Sequence, residues 1–229
     1  MDIIAVIPAR AGSKGLPRKN IMPMAGKPLI VHTIEHAKKS SLINRVVVST
    51  DDDKIASVSS QCGAEVIKRP KELSNDTVAT IPVLLHVLDY IKVRENYSPD
   101  LIVFLQCTSP VRKQDDIDNA IKTLIEQEAD CVFSVCRFKD YVWRITDGAM
   151  ESINFDYKTD WWRRQDFPLQ FRSNGSIFVY KRAALEKSTT IFSKSPAIYE
   201  MDYLSSFQVD TYEDLQLCEY IYEIVNNSR

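Results

Sequence analysis

"IIAVIPARAGSKGLPRKN", Ile3 to Asn20, passes from an unbroken apolar run into a segment with four cations and no acid. The run Ile3 to Ala9 has the length and the Ile/Val content of a strand buried on both faces, as in a parallel sheet. Arg10, Lys14, Arg18 and Lys19 then alternate with Gly12, Ser13, Gly15 and Pro17, so the cations sit on a loop and not along one face of a helix. Like charges this dense repel one another unless an anion lies among them. In an open parallel sheet, ligands bind where loops leave the carboxyl ends of the strands, and this is the first such loop.

The rest of the chain continues the alternation. Strand-like runs at 45–50 (RVVVST), 65–69 (EVIKR), 101–106 (LIVFLQ), 131–137 (CVFSVCR), 176–182 (SIFVYKR) and 206–210 (SFQVD) are separated by helical patterns at 28–39, 52–62, about 78–93 and 115–127, with a terminal helix from about Thr211 to Val225. Such β-α-β-α order predicts a mostly parallel central sheet flanked by helices, in one domain over residues 1–229. Residues of about 140–172, which hold all three tryptophans and little periodicity, are expected to form an irregular arm or lid inserted in it.

Composition narrows the function. The net charge of −2 argues against a nucleic-acid partner, since a long phosphate backbone calls for a basic domain and not one basic loop. No apolar stretch exceeds strand length, so no membrane partner is expected and a cytoplasmic location is. Five scattered cysteines and three histidines offer no zinc spacing. The basic loop is neither a G-x-x-x-x-G-K-[ST] phosphate loop nor a G-x-G-x-x-G dinucleotide turn, which disfavours kinases, ATPases and dehydrogenases.

Other predicted strand ends add polar groups to the same region: Asp51, Arg69, Gln106, Thr108, Ser109 and Asp210. Each alone reads as well as a cap or turn residue. Gln106 has an amide suited to a base edge, Arg69 a guanidinium suited to a base carbonyl or phosphate, and Asp210 a carboxylate suited to a hard cation.

Taken in order, "ARAGSKGLPRKN", "VSTDD", "RP" followed by "DT", "LQCTSP", "VFSV", "WRRQD", "NGSIFV" and "VDTYEDL" resemble the CMP-sialic acid synthetases, or acylneuraminate cytidylyltransferases, across the whole chain. The resemblance implies a Rossmann-like nucleotidyltransferase fold with a small protruding dimerisation arm, hence a homodimer. It also implies activation of a nine-carbon 2-keto-3-deoxy sugar acid with CTP and Mg²⁺. By position, Arg10, Asn20, Arg69, Thr80 and Gln106 correspond to the CTP-binding set, and Gly12, Ser13 and Lys19 to its phosphate loop. Arg164 corresponds to a catalytic or sugar-acid arginine, and Arg172, Asn174 and Gly175 to the sugar pocket, with Gln106 facing both substrates. Lys19 and Asp210 complete the implied catalytic set, Asp210 as the metal ligand.

Members of this family commonly carry two aspartates two apart where this chain has Gln208 and Asp210, and a serine where it has Thr80. Within the class, N-acetylneuraminate, legionaminate and pseudaminate all remain acceptors consistent with the sequence. From another class, a non-catalytic CTP-binding protein that had lost a metal ligand at Gln208 would carry the same motifs.

Overall fold

The computed structural model describes residues 1–12 and 15–227, with the side chains of 226 and 227 excepted. Its eleven strands are β1 (Ile3–Pro8), β2 (Pro23–Met24), β3 (Lys27–Pro28), β4 (Arg45–Thr50), β5 (Glu65–Lys68), β6 (Leu101–Leu105), β7 (Cys131–Arg137), β8 (Trp143–Thr146), β9 (Ala149–Ser152), β10 (Phe171–Lys181) and β11 (Pro196–Glu200). The helices are α1 (Leu29–Lys39), α2 (Asp53–Gln61), α3 (Thr80–Glu95), α4 (Asp116–Glu126), α5 (Arg182–Leu185) and α6 (Tyr212–Asn227).

Seven strands form one sheet in the order β11-β7-β10-β6-β1-β4-β5. All are parallel except β10, which runs antiparallel to both its neighbours. The pleat sends alternate residues of β1 to opposite faces. Ile3, Ala5 and Ile7 pack with Ile30, Ile34, Ile55, Ile117 and Ile121 of α1, α2 and α4, whereas Ile4 and Val6 pack with Leu84, Val87 and Ile91 of α3. Strands buried on both faces need apolar residues at every position, which is why β1 and β6 read as continuous runs.

Helix ends follow their local chemistry. Asp52 caps α2 by accepting from the N–H groups of Lys54 and Ile55, and Gly63 takes the left-handed conformation that stops it, at φ 75°. Thr211 and Asp214 form a reciprocal capping pair at the start of α6, side chain to backbone in both directions. A third apolar cluster joins α6 to the basic loop: Leu16 lies with Met24, Leu29, Val209 and Leu215 and so anchors the loop in the core.

Three sequence expectations are corrected. Residues 206–210 are not a strand; Val209 makes a single backbone bond, to the Thr108 carbonyl at 2.7 Å, and Asp210 therefore stands in a loop before α6. The last long strand begins at Phe171 and not at Ser176, and it is interrupted by a register shift against β7 between Ser173 and Phe178. The tryptophan-rich excursion is not wholly irregular: β8 and β9 pair as a hairpin, from Trp143 opposite Ser152 to Thr146 opposite Ala149. Among the described residues, no helix is long and apolar enough to cross a membrane.

Candidate active site

The order β4-β1-β6 places the switch in winding direction between β1 and β6, and the chain segments leaving these strands diverge there to leave a crevice. A cavity of about 350 Å³ occupies it. Arg10, Lys19, Asn20, Arg69, Thr80 and Gln106, which the sequence drew from four separate segments, all line this one cavity. Three of the six are cations, against one lining acid, Asp76.

The basic loop is closed on itself and tied to its neighbours. Asn20 is 7% exposed, and its Nδ2 donates to the Arg10 carbonyl at 3.1 Å, joining the two ends of the loop. Ala11 donates its N–H to Asp51 Oδ1 at 3.0 Å, which explains the aspartate at the end of β4. Arg18 takes the left-handed conformation, at φ 56°, to start the tight turn that carries Lys19 inward. Lys19 Nζ then donates to the Val209 carbonyl at 2.8 Å and to Asp210 Oδ1 at 2.7 Å. Gly15 lies so close to the Asp210 carbonyl that a Cβ there would stand 2.7 Å from it, so this position requires glycine. Gly12 is exposed with open space around it, and Ser13, like Lys14, lies outside the described residues.

Arg69 is 5% exposed and held by Ser49, donating through Nε to Oγ at 3.1 Å and through a terminal nitrogen to the carbonyl at 2.7 Å. Burial lowers its pKa from the ordinary arginine value, opposed by Asp51 and reinforced by Arg10. Arg10 pairs with Asp76 across the cavity at 2.7 Å. Thr80 opens α3, whose amino end faces the cavity; its unpaired N–H groups and dipole favour an anion. Gln106 is half-buried at the end of β6, with Oε1 accepting from the Thr108 hydroxyl at 3.2 Å.

Beyond Gln106 the structure assembles the second group of sequence candidates, in part. Gly175 takes φ 65° in the bulged part of β10 and lies directly against the side chains of Gln106 and Gln208. Gln208 Nε2 donates to the Asn174 carbonyl. Asn174 itself is 4% exposed; its Oδ1 accepts from Ser134 Oγ and Ser176 N, and its Nδ2 donates to Ser206 Oγ. Its side chain thus holds the bulge that presents Gly175. Arg172 is exposed on β10, its Nε 3.2 Å from Cys136 Sγ and its guanidinium 5.7 Å from the centre of the Tyr203 ring. Arg164 begins a short helical turn in the arm and is exposed, away from the cavity lining. In the same turn it is Arg163 that pairs with Asp166, at 2.7 Å.

Two residues of the site went unnamed in the sequence reading. Asp76 faces Arg10, and its only sequence signal is its place in the "DT" that follows "RP". Arg112, fully enclosed behind Gln106, gives no signal in sequence, because nothing local marks an arginine as buried.

A mostly parallel sheet with a cation-rich cavity at its switch point defines a nucleotide-binding α/β protein. The profile of the family described as Cytidylyltransferase matches residues 4–226, and the chain belongs to that family. Post-translational flagellin modification protein B of Campylobacter coli is 31% identical over 96% of this chain and 94% of its own. Pseudaminic acid cytidylyltransferase of Campylobacter jejuni is 28% identical over 100% and 99%. N-acylneuraminate cytidylyltransferase of Escherichia coli O18:K1:H7 is 31% identical over 99% of this chain, which spans only 54% of that relative. Among solved structures, CMP:2-keto-3-deoxy-manno-octonic acid synthetase complexed with CTP superposes with a TM-score of 0.71 at 17% identity, covering both chains fully, which shows the shared fold.

Proposed function

We propose that the protein is a cytidylyltransferase that activates a nine-carbon 2-keto-3-deoxy sugar acid, N-acetylneuraminate or a close relative, with CTP to give the CMP-sugar and pyrophosphate. The observation that carries this reading is the convergence of Arg10, Lys19, Asn20, Arg69, Thr80 and Gln106 on one cavity. In the reaction, the anomeric hydroxyl of the acid forms a bond to the α-phosphorus of CTP. The bond from that phosphorus to the bridging oxygen breaks, pyrophosphate departs with that oxygen, and the hydroxyl proton passes to solvent. Catalysis of this kind rests on alignment and on stabilising charge at phosphate oxygens.

Lys19 and Arg10 neutralise the triphosphate, the amino end of α3 adds its N–H dipoles, and Gln106 and Arg69 orient the base or its neighbouring groups. Gly175, bare of a side chain, lets the Gln208 amide pack directly against the backbone beside Gln106, where the acceptor would approach. Arg164 and Arg172 are the candidate partners of the acceptor carboxylate, Arg164 being carried by the arm.

Mg²⁺ fits the residues present. Asp210 presents an exposed carboxylate beside Lys19, and among the described residues no group of three His, Cys, Asp or Glu side chains forms a protein cage. Such a site suits a cation that keeps its waters and takes its remaining ligands from substrate phosphates. When bound, the ion supplies Lewis-acid stabilisation of phosphate charge.

The arm supports assembly as a homodimer: Trp143, Ile145, Met150 and Trp161 are 43%, 75%, 65% and 88% exposed, an apolar surface of the kind that pairs of subunits bury. A cytoplasmic site of action, where CTP is made, agrees with five free cysteines.

Pyrophosphate release from CTP and Mg²⁺ tests the reading, with N-acetylneuraminic, legionaminic, pseudaminic and 3-deoxy-octulosonic acids as acceptors and ATP, GTP and UTP as controls. Release with CTP and one nine-carbon acid is the expected result. CTP binding without release for any acid would favour a binding protein that does not transfer.

A further inference from the structure

Arg112 lies outside the cavity lining, yet its hydrogen bonds join the two halves of the site. It is 4% exposed, and one terminal nitrogen donates both to the Gln106 carbonyl at 2.8 Å and to the Ser176 carbonyl at 2.9 Å. The other donates to Thr33 Oγ1 on α1 at 3.0 Å. The position of the first two bonds matters. The antiparallel ladder between β6 and β10 ends at Leu105 opposite Ile177, and the next residues along, Gln106 and Ser176, are the ones the guanidinium bridges. Gln106 lines the cavity, and Ser176 follows Gly175 directly in the bulge of β10. One side chain therefore fixes the spacing of the strand end that carries Gln106 relative to the one that carries Gly175.

The choice of an arginine for this task is costly. Among the described residues no carboxylate lies within ion-pair distance of Arg112, and its Nε is buried without a hydrogen-bond partner. Burial lowers its pKa to about 10, so it is still charged at neutral pH, and the carboxylate whose field it feels, Asp116, is hydrogen-bonded elsewhere, to Tyr199 and the Lys113 N–H. A buried charge without a close counter-charge is destabilising, and two strand ends are ordinarily closed by backbone pairing or a neutral amide at less desolvation cost. What the guanidinium adds is geometry: a planar fork that holds three acceptors at fixed angles, which an ammonium cannot reproduce.

We infer that Arg112 is a positioning residue for the transfer reaction, acting through Gln106 by locking the end of β6 to the bulge of β10 so that Gln106 is aimed into the cavity. The inference rests on the cytidylyltransferase reading of that cavity. Displacing a group that aligns substrates by a fraction of its contact distance lowers rate steeply.

A double-mutant cycle of Arg112→Lys with Gln106→Ala tests it, read by kcat/KM for CTP and, in parallel, by the Kd of CTP from calorimetry. Arg112→Lys keeps the charge and removes the fork, so kcat/KM is expected to fall about tenfold or more and CTP binding to weaken. In the Gln106→Ala background the same substitution is expected to cost less than about twofold in both readouts, because the group it positions is gone. Equal losses in both backgrounds would make Arg112 a structural residue only, and an unchanged wild-type-background value would overturn the inference as well.

Should Arg112→Lys yield too little folded protein, Thr33→Val removes one acceptor of the fork and is read through the same cycle, with the same outcomes deciding. A wild-type chain that binds CTP but transfers to no acid would refute the proposed reaction while the Kd cycle still decides the role of Arg112. A wild-type chain that binds no CTP would overturn both.

Discussion

Lys19 Nζ stands 2.7 Å from Asp210 Oδ1, a contact between residues 191 positions apart that fastens the basic loop to the segment before α6. The lysine is 12% exposed and the aspartate 70%, so the pair sits at the mouth of the cavity with the carboxylate open to solvent. On the proposed reading of the cavity, Asp210 would neutralise Lys19 until a triphosphate took its place there, which would free the carboxylate for a divalent ion. Asp210→Asn removes the anion while keeping the shape. The Mg²⁺ concentration needed for half-maximal pyrophosphate release is expected to rise, with turnover at saturating CTP down about 10²-fold. The check is a Mg²⁺ titration of both proteins at fixed CTP and acceptor; superimposable curves would show that Asp210 holds no metal ion in the reaction.

Arg10 and Asp76 form a second such pair, 2.7 Å apart. Replacing Arg10 by Ala deletes the charge-assisted contact proposed to the triphosphate; such contacts contribute about 1.5–3 kcal/mol each, so KM for CTP is expected to rise by about ten- to a hundredfold. Asp76→Asn leaves Arg10 in place and weakens its competing partner, so KM for CTP is expected to move the other way. Steady-state kinetics at saturating acceptor separate the two. A rise in KM for Asp76→Asn would mean that Asp76 itself contacts the nucleotide.

How much of this was legible in the sequence depends on which forces are local. β4 and β7 coincide with their apolar runs residue for residue, and the basic loop stood out in the sequence, because strands buried on both faces and crowded like charges leave composition signals. Strand direction leaves none, so the antiparallel run of β10 could not be read. β11 escaped because it is a sheet-edge strand opening on Pro196, with half-buried and exposed residues alternating. At 206–210 the opposite error arose: Phe207 and Val209 alternate like a strand but serve to plug the cluster beneath α6. Six cavity residues were found because motif and geometry agree there, whereas Arg112 depends on three acceptors contributed by α1, the end of β6 and β10. No local pattern encodes such a meeting.

Gly175 lies where the side chains of Gln106 and Gln208 meet the bulge of β10. Its φ of 65° is reached by non-glycine residues at a cost of about 1–2 kcal/mol, and an added Cβ would meet Gln208 and Gln106. Gly175→Ala is therefore expected to lower stability by at least that amount and to depress activity by forcing the Gln208 side chain aside into the space next to Gln106. Adding Gln208→Ala relieves the contact but not the backbone strain, so part of the activity should return while the melting temperature stays reduced. Full recovery of both by the second substitution would show that the left-handed backbone itself carries no penalty here.

His36 sets a pH dependence with a definite sign. Burial pushes its pKa down to about 3, helped by the nearby cations Arg112, Lys39 and Lys27 and by the charge His32 would carry if protonated, and its buried Nδ1 finds no hydrogen-bond partner among the described residues. In the unfolded chain the imidazole titrates near 6.5. Between these values the unfolded state binds a proton that the folded state refuses, so stability falls as pH falls below about 6.5 and continues to fall toward 3, by up to about 1.4 kcal/mol per pH unit. Burial lowers the pKa of His32 and His86 as well, so the wild-type slope has contributions of the same sign from all three. Subtracting the slope of His36→Gln isolates one of them. Urea unfolding at pH 7.5 and 5.5 is expected to show a pH-dependent loss smaller in the variant by about 1 kcal/mol. Equal losses in the two proteins would mean that His36 accepts its proton in the folded state as readily as in the unfolded one.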